Sequence, residues 1–170
     1  MTGKQNKRRV SLKEKNTKQP DKNIRVRVAG ILLNHKNELL LVNHKKNGRS
    51  YWLLPGGGVE HGESFSEALT REFMEELSLE IGSVGDLFLV HDTVYPGKER
   101  HIVNLYFTVK PKKANVLKVN PDGVLSGAQF VSMKEFKKML FYPDIKSAII
   151  LKWKKGFVEP LGYQKIKWKE

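Results

Sequence analysis

The chain has 170 residues, 39% hydrophobic and 29% charged, with a net charge of +13, which suits one globular domain and leaves little room for two. No apolar run reaches the ~20 residues of a membrane-spanning helix, and the basic N-terminus lacks the apolar segment of a secretory signal. The absence of cysteine excludes disulfides, thiolate metal sites and a cysteine nucleophile, so a cytoplasmic protein with no membrane partner is the default expectation.

Much of the charge is terminal. Residues 1–23 carry eight lysines and arginines against only Glu14 and Asp21, and Lys152, Lys154, Lys155, Lys165, Lys167 and Lys169 crowd the other end. Residues 1–23 are therefore expected to form a basic, flexible arm, and residues 24–170 the single folded domain. Such tails keep a protein soluble or capture anions, phosphorylated metabolites and RNA among them, and charge alone does not separate the two.

Order is expected from Ile24, where IRVRVAGILL is β-branched and apolar enough for a strand covered on both faces. The polar residues 34–38 then predict a turn and an antiparallel hairpin with ELLLVNH, residues 38–44. YWLL (51–54), with Trp52 assigned to the core, enters a glycine-rich loop. From Ser64 the pattern becomes helical: Leu69, Phe73 and Leu77 recur every fourth residue, and Ser64 with Glu67 makes a capping box. Residues 86–95 and 100–109 read as two more strands joined by a proline-glycine turn. On the second of these, Val103, Leu105, Phe107 and Val109 are expected to face the core, leaving Ile102, Asn104, Tyr106 and Thr108 to line a pocket. AQFV (128–131) predicts a short strand and Ser132 with Glu135 a second capping box. A last helix over 143–155 should bury Ile145, Ala148, Ile149 and Trp153 and stop at Gly156. Helices and strands mixed without regular alternation imply an α/β (α+β) sandwich, with helices on a mixed β-sheet.

The chemistry is concentrated between Gly57 and Leu79. Glu72, Glu75 and Glu76 stand at i, i+3 and i+4, so a helix places them on one face, where like charges repel. Such a trio is ordinarily a solvated acidic face. It gains from a hard divalent cation, and an oxygen-only donor set suits magnesium or manganese.

This segment resembles the Nudix box, G-x5-E-x7-R-E-U-x-E-E-x-G-U, where U is a bulky aliphatic residue. Gly57 matches the first glycine, Glu63 the spaced glutamate, Arg71 and Glu72 the arginine-glutamate pair, Phe73 the apolar position, Glu75 and Glu76 the glutamate pair and Leu79 the last apolar position. Ser78 replaces the second glycine, where a left-handed residue ends the helix, a departure that costs roughly 1 kcal/mol. The resemblance implies a Nudix-type α/β/α sandwich with a catalytic loop-helix-loop. It also implies metal ligation by Glu72, Glu75, Glu76 and the carbonyl of Gly57, with Glu72 as ligand, base or both. Arg71 and Glu63 would hold the carboxylates in place.

The implied reaction is metal-dependent hydrolysis of a phosphoanhydride in a nucleoside diphosphate linked to another moiety, with ADP-ribose or a nucleotide sugar favoured. Hydrolysis of nucleoside triphosphates or RNA 5′ ends is the alternative. A catalytically dead ligand sensor is disfavoured because every carboxylate of the box is intact. Outside the box, Arg27 is a candidate phosphate grip, and Arg100, Asn104 and Tyr106 are candidates for phosphate, ribose and base contacts. Asp122 is a secondary candidate base, and His44, His91 and His101 show no metal-site spacing. A small nucleotide is the expected partner, ahead of RNA, and a homodimer is left open.

Overall fold

The computed structural model describes residues 23–112, 117–121 and 123–166. Residues 1–22 of the expected basic arm, and Asp122, lie outside the described residues. The leucine-rich strand β2 (Leu39–Lys46) sets the architecture. Its Leu39 and Leu41 enter one hydrophobic core, and Leu40 and Val42 enter another. Successive side chains of a strand point to opposite faces, so a run without polar alternation requires a β layer covered on both sides.

That layer consists of two sheets. Strands β1 (Arg25–Ile31), β4 (Ile81–Val94), β5 (His101–Pro111) and β7 (Gly162–Tyr163) form one, in the order β1-β5-β4-β7. It is mixed, with β1 parallel to β5, β4 antiparallel to β5 and β7 parallel to β4. Strands β3 (Arg49–Leu53), β2 and β6 (Leu125–Val131) form an antiparallel sheet in the order β3-β2-β6.

The expected hairpin of the first two strands forms only at its turn. There Leu33 and Leu39 make an antiparallel bridge, the Asn34 N–H donates to Glu38 O at 3.0 Å and the Leu40 N–H to Leu32 O at 2.9 Å, and Asn34 Oδ1 accepts from the backbone N–H groups of Lys36 and Glu38, both at 2.9 Å. Away from this turn β1 and β2 belong to different sheets. The extended hairpin is β2–β3. It closes on Asn47 and Gly48, whose φ angles of 51° and 75° suit the turn that follows strand twist and for which Asn-Gly is the preferred sequence.

Helix α1 (Phe65–Leu77) begins on the expected capping box, with Ser64 and Glu67 each satisfying the other's backbone N–H. It buries Ala68, Leu69, Phe73 and Leu77 against Val28, Leu32, Leu40 and Val42, and each large side chain so buried is worth roughly 1.5–3 kcal/mol. The opposite face is covered by α2 (Met133–Phe136), which has its own Ser132–Glu135 box, and by α3 (Lys146–Trp153). The last helix is shorter than expected at both ends. Ile145, Ile149 and Trp153 are buried as anticipated, whereas Ala148 is only half-buried.

The alternation on β5 is as expected, and Ile102 and Asn104 do line a cavity, but the same face becomes core at Tyr106. Val109, Leu105 and Phe107 pack on the α1 side, while Tyr106 is 1% exposed and belongs to the cluster under α2 and α3. Its hydroxyl lies 3.3 Å from His91 Nε2. His91 is fully buried, and its Nδ1 has no hydrogen-bond partner among the described residues.

Burial pushes the His91 imidazole down to about 4, so the unfolded chain takes up a proton between its ordinary value near 6.5 and pH 4 while the folded chain does not. Stability from this residue is full above pH 6.5 and lost as pH falls through that window. A His91→Gln variant should therefore gain on the wild type by roughly 3 kcal/mol between pH 7 and pH 4, measured as the difference between their urea-unfolding free energies. A constant difference would show that His91 is protonated inside the fold.

Candidate active site

The glycine-rich loop reaches its position by pairing with β1. The N–H of Val28 donates to Gly57 O at 2.9 Å, Gly30 to Pro55 O at 2.9 Å, and Val59 to Val26 O at 3.0 Å. The loop backbone is thus fixed before any side chain acts. Two further contacts tie it to its surroundings. Arg27 Nη2 donates to Gly56 O at 2.7 Å and Leu54 O at 3.2 Å, and the N–H of Gly56 donates to Glu76 Oε2 at 3.1 Å.

Arg71 organises the other carboxylates. Its Nε and Nη2 form a two-point pair with Glu63 at 2.7 and 3.0 Å, Nη1 reaches Glu72 at 2.9 Å and Glu75 at 3.3 Å, and Nη2 also reaches Gly58 O at 2.9 Å. Planar fork geometry makes arginine suited to this task, where lysine would supply only a point charge. The pairing holds the Glu63 carboxyl down at about 2, first through the Arg71 hydrogen bonds and then through the N–H of Glu60. Arg71 is itself raised by the same bonds.

Glu76 behaves in the opposite way. Desolvation pushes it up to about 7, against the Gly56 N–H and the charge of Arg27, which lower it, while Glu72 and Glu75 add to the rise. Gly57 explains how Glu72 fits: a Cβ at this position would lie 2.0 Å from Glu72 Oε1, so only glycine lets the carboxylate lie against the loop.

The end of α1 resolves the Ser78 departure. Ser78 adopts the left-handed conformation, φ 49° and ψ 34°, and its N–H donates to Met74 O and Phe73 O, so the helix ends as a glycine would end it. Asn120 braces it from outside, donating from Nδ2 to Glu75 O at 2.8 Å and Ser78 Oγ at 3.0 Å, while its N–H donates to Glu76 O at 3.0 Å. Sequence reasoning missed Asn120, which lies far from the box along the chain.

Among the described residues no three carboxylate or imidazole groups close around one point, because Arg71 draws Glu72 and Glu75 to itself while Glu76 turns to the loop. The donor set nevertheless fits a hard divalent cation. It is all oxygen, Glu76 is a desolvated carboxyl with two more carboxylates beside it, and the missing side chain of Gly57 leaves the Glu72 carboxylate room against the loop.

A cavity of about 760 Å³ opens beside this site, with Arg27 among its lining residues. Asn104 and Thr93 contribute from β5 and β4, and Tyr51 and Tyr142 form an aromatic wall whose rings stand perpendicular with centroids 5.6 Å apart. Of the four candidates outside the box, Arg27 and Asn104 reach the cavity. Arg100 lies by the β4–β5 turn, over the Tyr95 ring at 5.4 Å, and Tyr106 is sealed in the core. Arg27 is a loop anchor as well as a lining residue, because its guanidinium is engaged with carbonyls. Tyr51 and Tyr142 were missed, though the Asn47–Gly48 turn would have placed Tyr51 on a hairpin strand.

The fold and the charged positions of the box now stand together, and a family model for the NUDIX domain matches residues 23–152. The chain belongs to the Nudix hydrolase family. An ADP-ribose pyrophosphatase of Methanocaldococcus jannaschii is 30% identical over 132 residues, 77% of this chain and 75% of that protein. An RNA pyrophosphohydrolase of Campylobacter jejuni subsp. doylei is 30% identical over 159 residues, 84% of this chain and 97% of that one. A Nudix hydrolase structure from Nitrosomonas europaea superposes with a TM-score of 0.68 at 19% identity, covering 82% of this chain and 94% of that chain; at that identity it speaks for the fold. Nudix hydrolases depend on divalent metal, in keeping with the donor set.

Gly57→Ala should displace the Glu72 carboxylate while leaving the core untouched. Turnover should fall by about a hundredfold or more, the cost of misplacing a group by about 1 Å, with a melting temperature within a few degrees of wild type. Unchanged turnover would mean that Glu72 does not act from the position seen here.

Proposed function

We propose that this Nudix hydrolase cleaves the phosphoanhydride of a nucleoside diphosphate linked to a sugar, ADP-ribose or a nucleotide sugar, with Mg²⁺ as its preferred metal and Mn²⁺ as a substitute. The observation that supports this most is Arg27, which lines the cavity and at the same time holds Gly56, the residue bonded to Glu76. The cavity that would take the nucleoside and the helix that would act on its phosphates therefore meet at one side chain.

The donors for the metal would be Glu72, Glu75, Glu76 and the Gly57 carbonyl. When bound, the metal would neutralise phosphate oxygens and lower the pKa of the attacking water. Arg71 and Glu63 would keep the carboxylates oriented. Glu72, anchored by one oxygen to Arg71, would be the proton acceptor, and transition-state stabilisation would come chiefly from positioning and electrostatics. Tyr51 and Tyr142 would flank the base, and Asn104 would hydrogen-bond to a ribose or base edge. The near-complete coverage of the Campylobacter RNA pyrophosphohydrolase favours a second reading, removal of pyrophosphate from RNA 5′ ends.

Glu76→Gln should preserve folding, since the α1 core stripe is untouched, and nearly abolish Mg²⁺-dependent turnover. Glu72→Gln should cost roughly 10²- to 10⁴-fold in rate if it is the base. A substrate panel scored by product decides between the readings. AMP and a sugar phosphate are expected; pyrophosphate from triphosphates or RNA ends, at far higher kcat/KM, would replace the first reading with the second.

A further inference from the structure

The hairpin that borders the cavity carries a feature the diphosphate chemistry does not use. Lys46 and Arg49 are direct cross-strand partners on β2 and β3, which sets their Cβ atoms about 5 Å apart on one face of the sheet. Like charges directly opposite each other destabilise a strand pair. Neither side chain has an acidic partner within ion-pair distance among the described residues. Both line the cavity, as do Tyr51 and Leu53. Residues 49, 51 and 53 share a face because a strand alternates every second residue. Leu53 stands just before the glycine loop, and from it to Arg49 the strand runs four residues, about 13 Å at the usual rise. The cavity thus has a box end near Arg27, an aromatic middle at Tyr51 and Tyr142, and a cationic end past the rings. A nucleotide laid along it with its diphosphate at the box has its ribose short of the rings and its base between them. What meets Lys46 and Arg49 is then the edge of the base farthest from the sugar.

We propose that Lys46 and Arg49 read that edge and select guanine over adenine. Guanine turns O6 and N7 outward, two adjacent acceptors that a guanidinium fork meets together and an ammonium can share. Adenine carries its N6 amino group, a donor, where guanine has O6. Two cations that face it give up water without a full set of acceptors in return, and an unmade bond of this kind is costly. Asp144 also lines the cavity and is the competing reader, since a carboxylate accepts from amino and imino N–H groups of a base. The inference rests on the diphosphate-sugar reading and narrows it. Among the substrates named there a GDP-linked sugar is preferred to ADP-ribose, so the nucleotide released is GMP in place of AMP.

The test holds the sugar fixed and changes the base: GDP-glucose, IDP-glucose and ADP-glucose, each assayed with Mg²⁺. Hypoxanthine keeps O6 and N7 but lacks the amino group of guanine, so it separates the cationic pair from Asp144. Wild type should favour GDP- and IDP-glucose alike over ADP-glucose, by about tenfold in kcat/KM, through KM. Lys46→Ala with Arg49→Ala should raise the KM of both to that of ADP-glucose. Binding of GMP, IMP and AMP, measured by calorimetry, compares the same bases without turnover. Tighter binding of GMP and IMP that the double variant abolishes, with no diphosphate sugar hydrolysed, would retain the base reader and remove the proposed function. Hydrolysis of all three sugars with equal kcat/KM, or with adenine preferred, would overturn the base reader and leave the proposed function standing. A preference that survives in the double variant would overturn it as well, and one for guanine over hypoxanthine would assign the base to Asp144.

Discussion

Everything at this site depends on the fork between Arg71 and its carboxylates. Three glutamates on one helical turn repel one another, and Glu63 adds a fourth carboxylate from the loop that precedes the helix. A single guanidinium answers three of the four, Glu63, Glu72 and Glu75, and also the Gly58 carbonyl. It joins the loop to the helix at the point where their separation would otherwise be favoured. The carboxylate it does not reach, Glu76, is the desolvated one with the raised pKa. One guanidinium therefore separates the carboxylates it pairs, Glu63, Glu72 and Glu75, from the desolvated one that it leaves to the glycine loop, Glu76.

A second arginine performs the corresponding task on the β layer. Arg27 projects from β1 onto the carbonyls of Leu54 and Gly56, so the glycine loop is held from the helix side by Arg71 and from the sheet side by Arg27. The backbone bonds between the loop and Val26, Val28 and Gly30 lie between these anchors. A loop with three consecutive glycines carries a large entropic cost of ordering, and this pattern of attachment shows how it is met. It also shows why Gly57 can approach a carboxylate so closely: the backbone is already committed to that path.

Much of this was legible in the sequence because the determining signals are local. The capping box at Ser64, the four-residue apolar repeat and the glutamate spacing each rest on neighbours within one or two helical turns, and α1 formed as read. The β layer was less legible. Residues 24–33 and 38–44 looked like a hairpin because hairpins join adjacent strands, but pairing β1 with β5 places partners more than 70 residues apart, and no short-range pattern encodes that choice. The same limitation hid Asn120, whose partners Glu75 and Ser78 lie more than 40 positions away. Tyr106 illustrates a different failure. Its alternation was correct, but whether the far face of β5 is pocket or core depends on α2 and α3 arriving from the end of the chain. In contrast, Asn47–Gly48 was an available short-range signal for the β2–β3 hairpin.

That two-residue turn carries a constraint on how the hairpin can change. Side-chain direction along β3 is a matter of parity, and the turn sets the count from which parity is reckoned. Replacing residues at the tip alters what the cavity presents, because positions 46 and 49 keep their orientation. Inserting or deleting one residue beside it, with the two-residue turn kept, shifts the register of β3 by one and reverses the strand: Arg49, Tyr51 and Leu53 would turn away and Ser50 and Trp52 would turn in, exchanging the whole wall in one step. The hairpin is thus constrained in length as well as in the two residues of its turn.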